Sequence, residues 1–259
     1  MKINFSKYQG TGNDFIMLNN IGGQFDDLSI ENIAFLCDRK LGIGADGLIK
    51  ISSAQDCDFE VDYYNADGSK SFCGNGARCS VLFAKSLGLI TEEKTTFVAI
   101  DGKHKAFLTN DTVSLEMLPV IDFEEFAKNF IIDTGSPHYV TFEKDKTKNI
   151  VEFGKEIRYS ERFKKEGINV NSVEVISEDT IQVQTYERGV EDETLSCGTG
   201  VTACALLYMM QNPPLRKVKI QTKGGELTVE AAIFSKEKGF RNIWLSGPAK
   251  KVFDGSIEL

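Results

Sequence analysis

The sequence predicts an α+β protein of two similar domains, each a mixed, largely antiparallel sheet wrapped around a central helix. Three observations carry this. First, a cysteine–glycine motif is doubled: "FCGNGARCSV" at 72–81 and "SCGTGVTACA" at 196–205 place Cys73 and Cys197 124 residues apart. Second, other landmarks repeat in the same order at nearly the same spacing. Thr11 of "TGNDF" and Thr134 of "TGSPH" lie 123 apart, and Tyr64 and Tyr186 lie 122 apart. Gly102 and Gly224 also lie 122 apart, and "LIKI" at 48–51 matches the pattern of "SVEV" at 172–175. Ordered matches at one spacing mark an internal duplication. Third, each motif opens a helix within strand-rich sequence, and the second is apolar on nearly every side, so it must be buried all round.

In chain order, "LSIENIAFLCDRK" at 28–40 is an outer helix with Ser29 as its N-cap. "IKISSAQDCDFEVDYYN" at 49–65 carries β-branched and aromatic residues around a polar turn, the mark of an antiparallel hairpin. The first cysteine motif then opens a helix through "ARCSVLFAKSL" that stops at Gly88. The duplication meets near residue 120, which gives domains of 1–119 and 120–248. In the second half "VEVISEDTIQVQTYE" repeats the hairpin, and "VTACALLYMMQN" is a helix that stops before Pro213 and Pro214.

Composition narrows the function. The 259 residues are 41% hydrophobic and 26% charged, ordinary for a globular protein with a full core. A net charge of -8 argues against a nucleic-acid partner, since phosphate binding wants a basic face. Mixed-sign stretches such as "ERFKKEG" at 161–167 read as solvated surface. No apolar run reaches membrane-spanning length, and "MKINFSKYQG" lacks the apolar stretch of a signal peptide, so the expected location is cytoplasmic. The six cysteines show no two-residue spacing and there are two histidines, so neither a zinc site nor a disulfide framework is expected. A homodimer is compatible with the sequence, which fixes no oligomeric state.

A Cys-Gly-x-Gly turn at a helix start does two things. Its glycines bring backbone N–H groups close to a ligand, and those groups with the helix dipole attract an anion. The same field lowers a thiol pKa from about 8.5. Two such ends around one small anion would place a base and an acid on opposite faces of a carbon, as inversion of a stereocentre requires.

The ordered set "GTGNDF", "GIGADG", "NADGS", "CGNGARC", "SPHYV", "YERG" and "CGTG" resembles the diaminopimelate epimerases over essentially the whole chain. The resemblance implies a cofactor-independent and metal-free interconversion of LL- and meso-2,6-diaminopimelate, with a cleft between the two domains. It implies that the C-terminal strand within 249–259 returns to the first domain. Cys73 and Cys197 are implied as the acid–base pair, with His138 and Glu187 helping to set their protonation. The backbone of Gly74–Asn75 and Gly198–Thr199 is implied to cradle the reacting carboxylate. Asn13, Asn65 and Asn169 would hold the distal end, with Glu187 and Arg188 beside them; Arg188 suits a planar two-point grip. Ser136 stands where an asparagine is common, and Gly47 where some members carry a glutamine.

Cys37, Cys57, Cys79 and Cys204 read as small buried apolar residues, and His104 as part of an exposed turn. Glu187 and Arg188 taken alone would be a surface pair. No dinucleotide or P-loop fingerprint supports a nucleotide site. Two rivals stay open: a cysteine-pair epimerase or racemase of proline-like substrates, and a thiol redox protein.

Overall fold

The computed structural model describes residues 1–143, 148–232 and 239–259. The chain falls into two compact units, 1–115 with 247–259, and 116–246.

The first unit is built from β1 (Lys2–Gly10), β2 (Asn13–Asn19), α1 (Ile30–Cys37), β3 (Gly47–Ser52), β4 (Phe59–Asn65), α2 (Gly74–Ser86), β5 (Lys94–Ala99), β6 (Gly102–Thr109) and β7 (Thr112–Met117). Both parallel pairings, β2 with β3 and β4 with β5, are bridged by a helix: α1 in the first crossover and α2 in the second. The other neighbours β1–β2, β3–β4, β5–β6 and β6–β7 are antiparallel. Strand alternation explains why both faces are covered. Phe15, Met17, Ile49 and Ile51 pack in one cluster with Ala77, Val81 and Ala84 of α2. Ile16, Leu18 and Leu48 point to the other face, where Ile33 and Leu36 of α1 meet them.

Local signals set the helix ends. Ser29 Oγ accepts from the Asn32 backbone N–H at 3.2 Å, the expected N-cap. Beyond α2, Gly88 sits at φ +77°, the left-handed turn that glycine favours after a helix.

The second unit comprises β8 (Phe123–Phe126), β9 (Asn129–Asp133), β10 (Pro137–Thr141), α3 (Ile150–Arg158), β11 (Asn169–Ser177), β12 (Thr180–Glu187), β13 (Asp192–Thr194), α4 (Gly198–Gln211), β14 (Lys217–Thr222), β15 (Gly225–Glu230) and β16 (Ile243–Pro248). Its parallel pairs are β10–β11 and β12–β14, bridged by α3 and α4. The remaining pairs β8–β9, β9–β10, β11–β12, β12–β13, β14–β15 and β15–β16 are antiparallel. Residues Gly200 to Met209 of α4 are all buried, as an all-round apolar helix demands.

β17 (Lys250–Glu258) pairs antiparallel with β1, from Lys2 opposite Glu258 to Gln9 opposite Lys250. It supplies to the first unit the edge position that β8 supplies to the second. Apart from the short β13, the order of parallel and antiparallel pairs is then the same in both units.

Three details differ from the sequence reading. The hairpin glycine opposite Gly102 is Gly225, since Ala99 pairs with Gly102 and Thr222 with Gly225. Both have a positive φ, +126° and +140°. His104 lies in β6 and not in the turn; it is half-buried, stacked against Phe72 at 4.4 Å and Phe97 at 5.0 Å. Cys57 is half-exposed in the β3–β4 connection, whereas Cys37, Cys79 and Cys204 are buried.

Helix α3 carries no prediction from sequence. Its start does hold a signal, the reciprocal capping box between Asn149 and Glu152. Gly154 at its centre weakens helix propensity, and packing requires it: a Cβ there would lie 2.4 Å from the Tyr186 Cβ.

Candidate active site

Each cysteine stands at the N-cap of its unit's central helix, Cys73 before α2 and Cys197 before α4. Both have extended backbone and neither thiol caps its helix. The first N–H groups of a helix have no intrahelical acceptor, so such a start suits an anion. The second glycine of each motif serves packing. A Cβ on Gly76 would lie 3.1 Å from Ile49 Cδ1, and one on Gly200 would lie 2.5 Å from Asn171 Oδ1.

Around Cys73 the side chains form a polar cluster. Cys73 Sγ lies 3.5 Å from Asn13 Oδ1, which also accepts from Asn75 Nδ2 at 3.3 Å. Asn13 Nδ2 donates to Asp46 at 2.6 Å. Arg39 bridges Asp46 and Asp14, and Lys7 reaches Asp14 at 2.8 Å. These partners hold the Asp14 carboxyl down at about 2 against the desolvation that would raise it. Arg78, five residues after Cys73, is fully buried and donates to Asn75 Oδ1 at 2.9 Å and Thr11 Oγ1 at 3.0 Å. Burial lowers its pKa, and no hydrogen bond reaches Nη1.

Around Cys197 the cluster is neutral. Thr199 Oγ1 lies 3.5 Å from Cys197 Sγ and 2.9 Å from His138 Nε2. His138 Nδ1 accepts from Asn171 Nδ2 at 2.9 Å. His138 is fully buried; desolvation first, then the charge of Arg188, pushes its pKa down to about 3. The ring is therefore neutral wherever the thiols work.

Asn169 donates to Ser136 Oγ at 2.8 Å and accepts from the Arg188 backbone N–H at 2.9 Å. The Arg188 side chain donates to the Glu166 carbonyl at 3.0 Å across Gly167. Glu187 ends β12 beside it, half-buried. Asn65 closes the turn that leads to Cys73, donating to Ser69 and Ser71 and accepting from Tyr63. Gly47 has a structural cause: a Cβ there would lie 2.5 Å from Tyr63 Cε2, so the Tyr63 ring fills the room a larger side chain would need.

Cys73, Asn13 and Asn75 thus stand together in the first unit, with Asn65 in the turn before them. Cys197, Thr199 and His138 stand together in the second, where Asn169 and Arg188 form a neighbouring group. Asn171, Thr185, Arg78 and Asp46 were not picked out from sequence. Asn171 carried a signal, since Asn169 and Asn171 share one face of a strand. Among the described residues no three His, Cys, Asp or Glu side chains gather as a metal site, and no helix is long and apolar enough to cross a membrane.

The duplicated sheet, with a central helix in each unit, is a fold shared with solved structures. A PhzF-family phenazine biosynthesis protein of Bacillus anthracis superposes with TM-score 0.76 over 100% of both chains at 14% identity. A hydroxyproline epimerase of Agrobacterium vitis gives 0.70 over 100% of this chain and 93% of its own, at 13% identity. Sequence is more particular. The diaminopimelate epimerase family model matches residues 5–120 and 130–252. The diaminopimelate epimerase of Flavobacterium psychrophilum is 45% identical over 256 residues, 97% of this chain and 98% of that one. That of Aquifex aeolicus is 37% identical over 277 residues, 98% and 97%. The chain belongs to the diaminopimelate epimerase family, and it is an isomerase.

Proposed function

We propose that the protein interconverts LL- and meso-2,6-diaminopimelate, with Cys73 and Cys197 as its two acid–base groups. The observation that carries the assignment of residues is the occurrence of an uncapped Cys-Gly-x-Gly helix start in each unit, within a chain of this family. One thiolate takes the α-proton while the thiol on the other face gives its own, so charge and proton count are conserved in each turnover. Backbone N–H groups at Gly74–Asn75 and Gly198–Thr199 receive the reacting carboxylate and the charge that builds on it in the transition state. Asn13, Asn65 and Asn169, with Glu187 and Arg188, recognise the distal amino-acid end. Ser136 and Tyr63 take part there, Ser136 through Asn169 and Tyr63 through Asn65.

The reaction needs no cofactor or metal in this reading, and its place is the cytoplasm, where free thiols stay reduced. The test is incubation of the purified protein with LL-diaminopimelate in D2O. Meso product with deuterium at the α-carbon is expected, and activity should survive exhaustive chelation. Deuterium entering proline or hydroxyproline instead would favour the proline-type rival. Thiol–disulfide turnover without isotope exchange would favour the redox one.

A further inference from the structure

Two hydrogen-bond chains of fixed direction end on the two thiols. In the first unit the direction is set from both ends. Arg78 can only donate, so Asn75 must turn its oxygen to Arg78 and its nitrogen to Asn13. The Asp46 carboxylate can only accept, so Asn13 must turn its nitrogen to Asp46 and its oxygen to Asn75 and Cys73. The atom facing Cys73 Sγ at 3.5 Å is thus an acceptor, and the contact is attractive when the sulfur carries its proton.

In the second unit the order is reversed. Thr185 Oγ1 donates to Asn171 Oδ1 at 2.9 Å, and Asn171 Nδ2 also meets the Tyr139 carbonyl at 3.2 Å, which can only accept. Asn171 therefore gives an N–H to His138 Nδ1, leaving the single ring proton of a neutral imidazole on Nε2. That proton goes to Thr199 Oγ1 at 2.9 Å, so the hydroxyl hydrogen of Thr199 is turned away from His138 and toward Cys197 Sγ at 3.5 Å. This contact is strongest when the sulfur is a thiolate.

We propose that Asn171 and Asp46 are positioning residues which, through these chains, set the empty enzyme with Cys73 as thiol and Cys197 as thiolate. The idea rests on the acid–base reading of the pair. Other ionisable groups bear on each sulfur. Arg78 and Cys79 of α2 interact electrostatically with Cys73 and with one another. Cys204 of α4 does so with Cys197, while Arg188 acts on His138. The Arg78 cation favours a thiolate at Cys73 through space. The oxygen of Asn13 touches the sulfur directly and opposes it, so the contact decides the resting state. Arg78 then keeps the Cys73 thiolate within reach once its proton has gone to substrate. Each turnover leaves Cys73 as thiolate and Cys197 as thiol, the mirror form.

Ultraviolet thiolate absorbance against pH, in the wild type and in Cys73→Ala and Cys197→Ala, tests the assignment. The lowest-pH thiolate should disappear with Cys197→Ala and persist in Cys73→Ala; the opposite pattern overturns it. Thr199→Val should raise the Cys197 midpoint by about one pH unit, as should Asn171→Ala, while Thr199→Ser restores it. Asp46→Asn removes the carboxylate anchor of the Asn13 amide, leaving only Asn75 to hold its oxygen toward the sulfur, and should lower the Cys73 midpoint. If Asn171→Ala fails to fold, Thr199→Val and Asp46→Asn still decide, since a purely structural role would move neither midpoint. Unmoved midpoints overturn the relay, and absent isotope exchange would overturn the acid–base reading itself.

Discussion

The helices that begin at Cys73 and Cys197 hold equivalent places in sheets of the same connectivity, yet their surroundings differ in charge. Five residues after the cysteine, α2 carries Arg78 and α4 carries Thr202, and both side chains are fully buried. Arg78 reaches out of its helix to Thr11, Asn75 and the Pro248 carbonyl. Thr202 turns back on its own helix and donates to the Gly198 carbonyl at 2.9 Å. A buried guanidinium carries a large desolvation cost, whereas a hydroxyl bonded within its helix carries almost none. A duplicated fold can therefore keep its strand order while its two thiols acquire different electrostatic company. An acid and a base acting in turn, as proposed for the pair, would use that difference.

The largest expected effect breaks the pair itself. Cys73→Ala and Cys197→Ala should each lower turnover by at least the ~10²–10⁴-fold typical of positioned acid–base catalysis. Steady-state kinetics in both directions checks this, and near-normal turnover in either variant removes that residue from the pair.

Next comes the charge. Arg78→Met keeps the length but not the cation, so turnover should fall about tenfold, one pKa unit of thiolate stabilisation. The melting temperature should stay within a few degrees, because relief of guanidinium desolvation offsets the lost hydrogen bonds. Turnover at the wild-type level would show that the cation does not serve Cys73.

A third comparison is in pH. His138 is neutral and buried, with its pKa depressed from 6.5 to about 3, so the unfolded chain binds a proton that the folded chain refuses. Stability is full above pH 6.5 and falls by about 1.4 kcal/mol per unit as pH drops toward 3. Asp14 is depressed from 3.8 to about 2, so its contribution is present above 3.8 and lost only between those values. Denaturant titrations between pH 6.5 and 4.5 should show the slope in the wild type and not in His138→Gln. An equal slope in the variant would place the titration elsewhere.

The smallest effect sharpens the contrast. Thr202→Val removes one hydrogen bond within α4, so stability should change by about 1 kcal/mol or less, with turnover unchanged. A loss of turnover comparable to that of Arg78→Met would mean that position 202 shares the role of position 78.

Much of the architecture is legible in the sequence, because duplication writes the same pattern twice. The ordered landmarks from Thr11 to Gly102 and from Thr134 onward located two units. The hairpins β3–β4 and β11–β12 and the helix stops at Gly88 and Pro213 followed from local chemistry. α3 escaped because Gly154 weakens its helix propensity, and the reason for that glycine is the ring of Tyr186 on another strand.

Legible in the sequence alone were the doubled cysteine helix start, one hairpin and the central helix of each unit, and membership of one enzyme family. These depend on neighbours in the chain and on repetition, which one dimension records. The direction of each hydrogen bond at the thiols came only with the folded arrangement. Asn171 is one polar residue in a strand until β10 brings His138 to it and β12 brings Thr185. Asp46 is a loop carboxylate until β2 sets Asn13 beside it. A donor or acceptor role belongs to a pair of atoms, and these pairs form only when distant segments fold together.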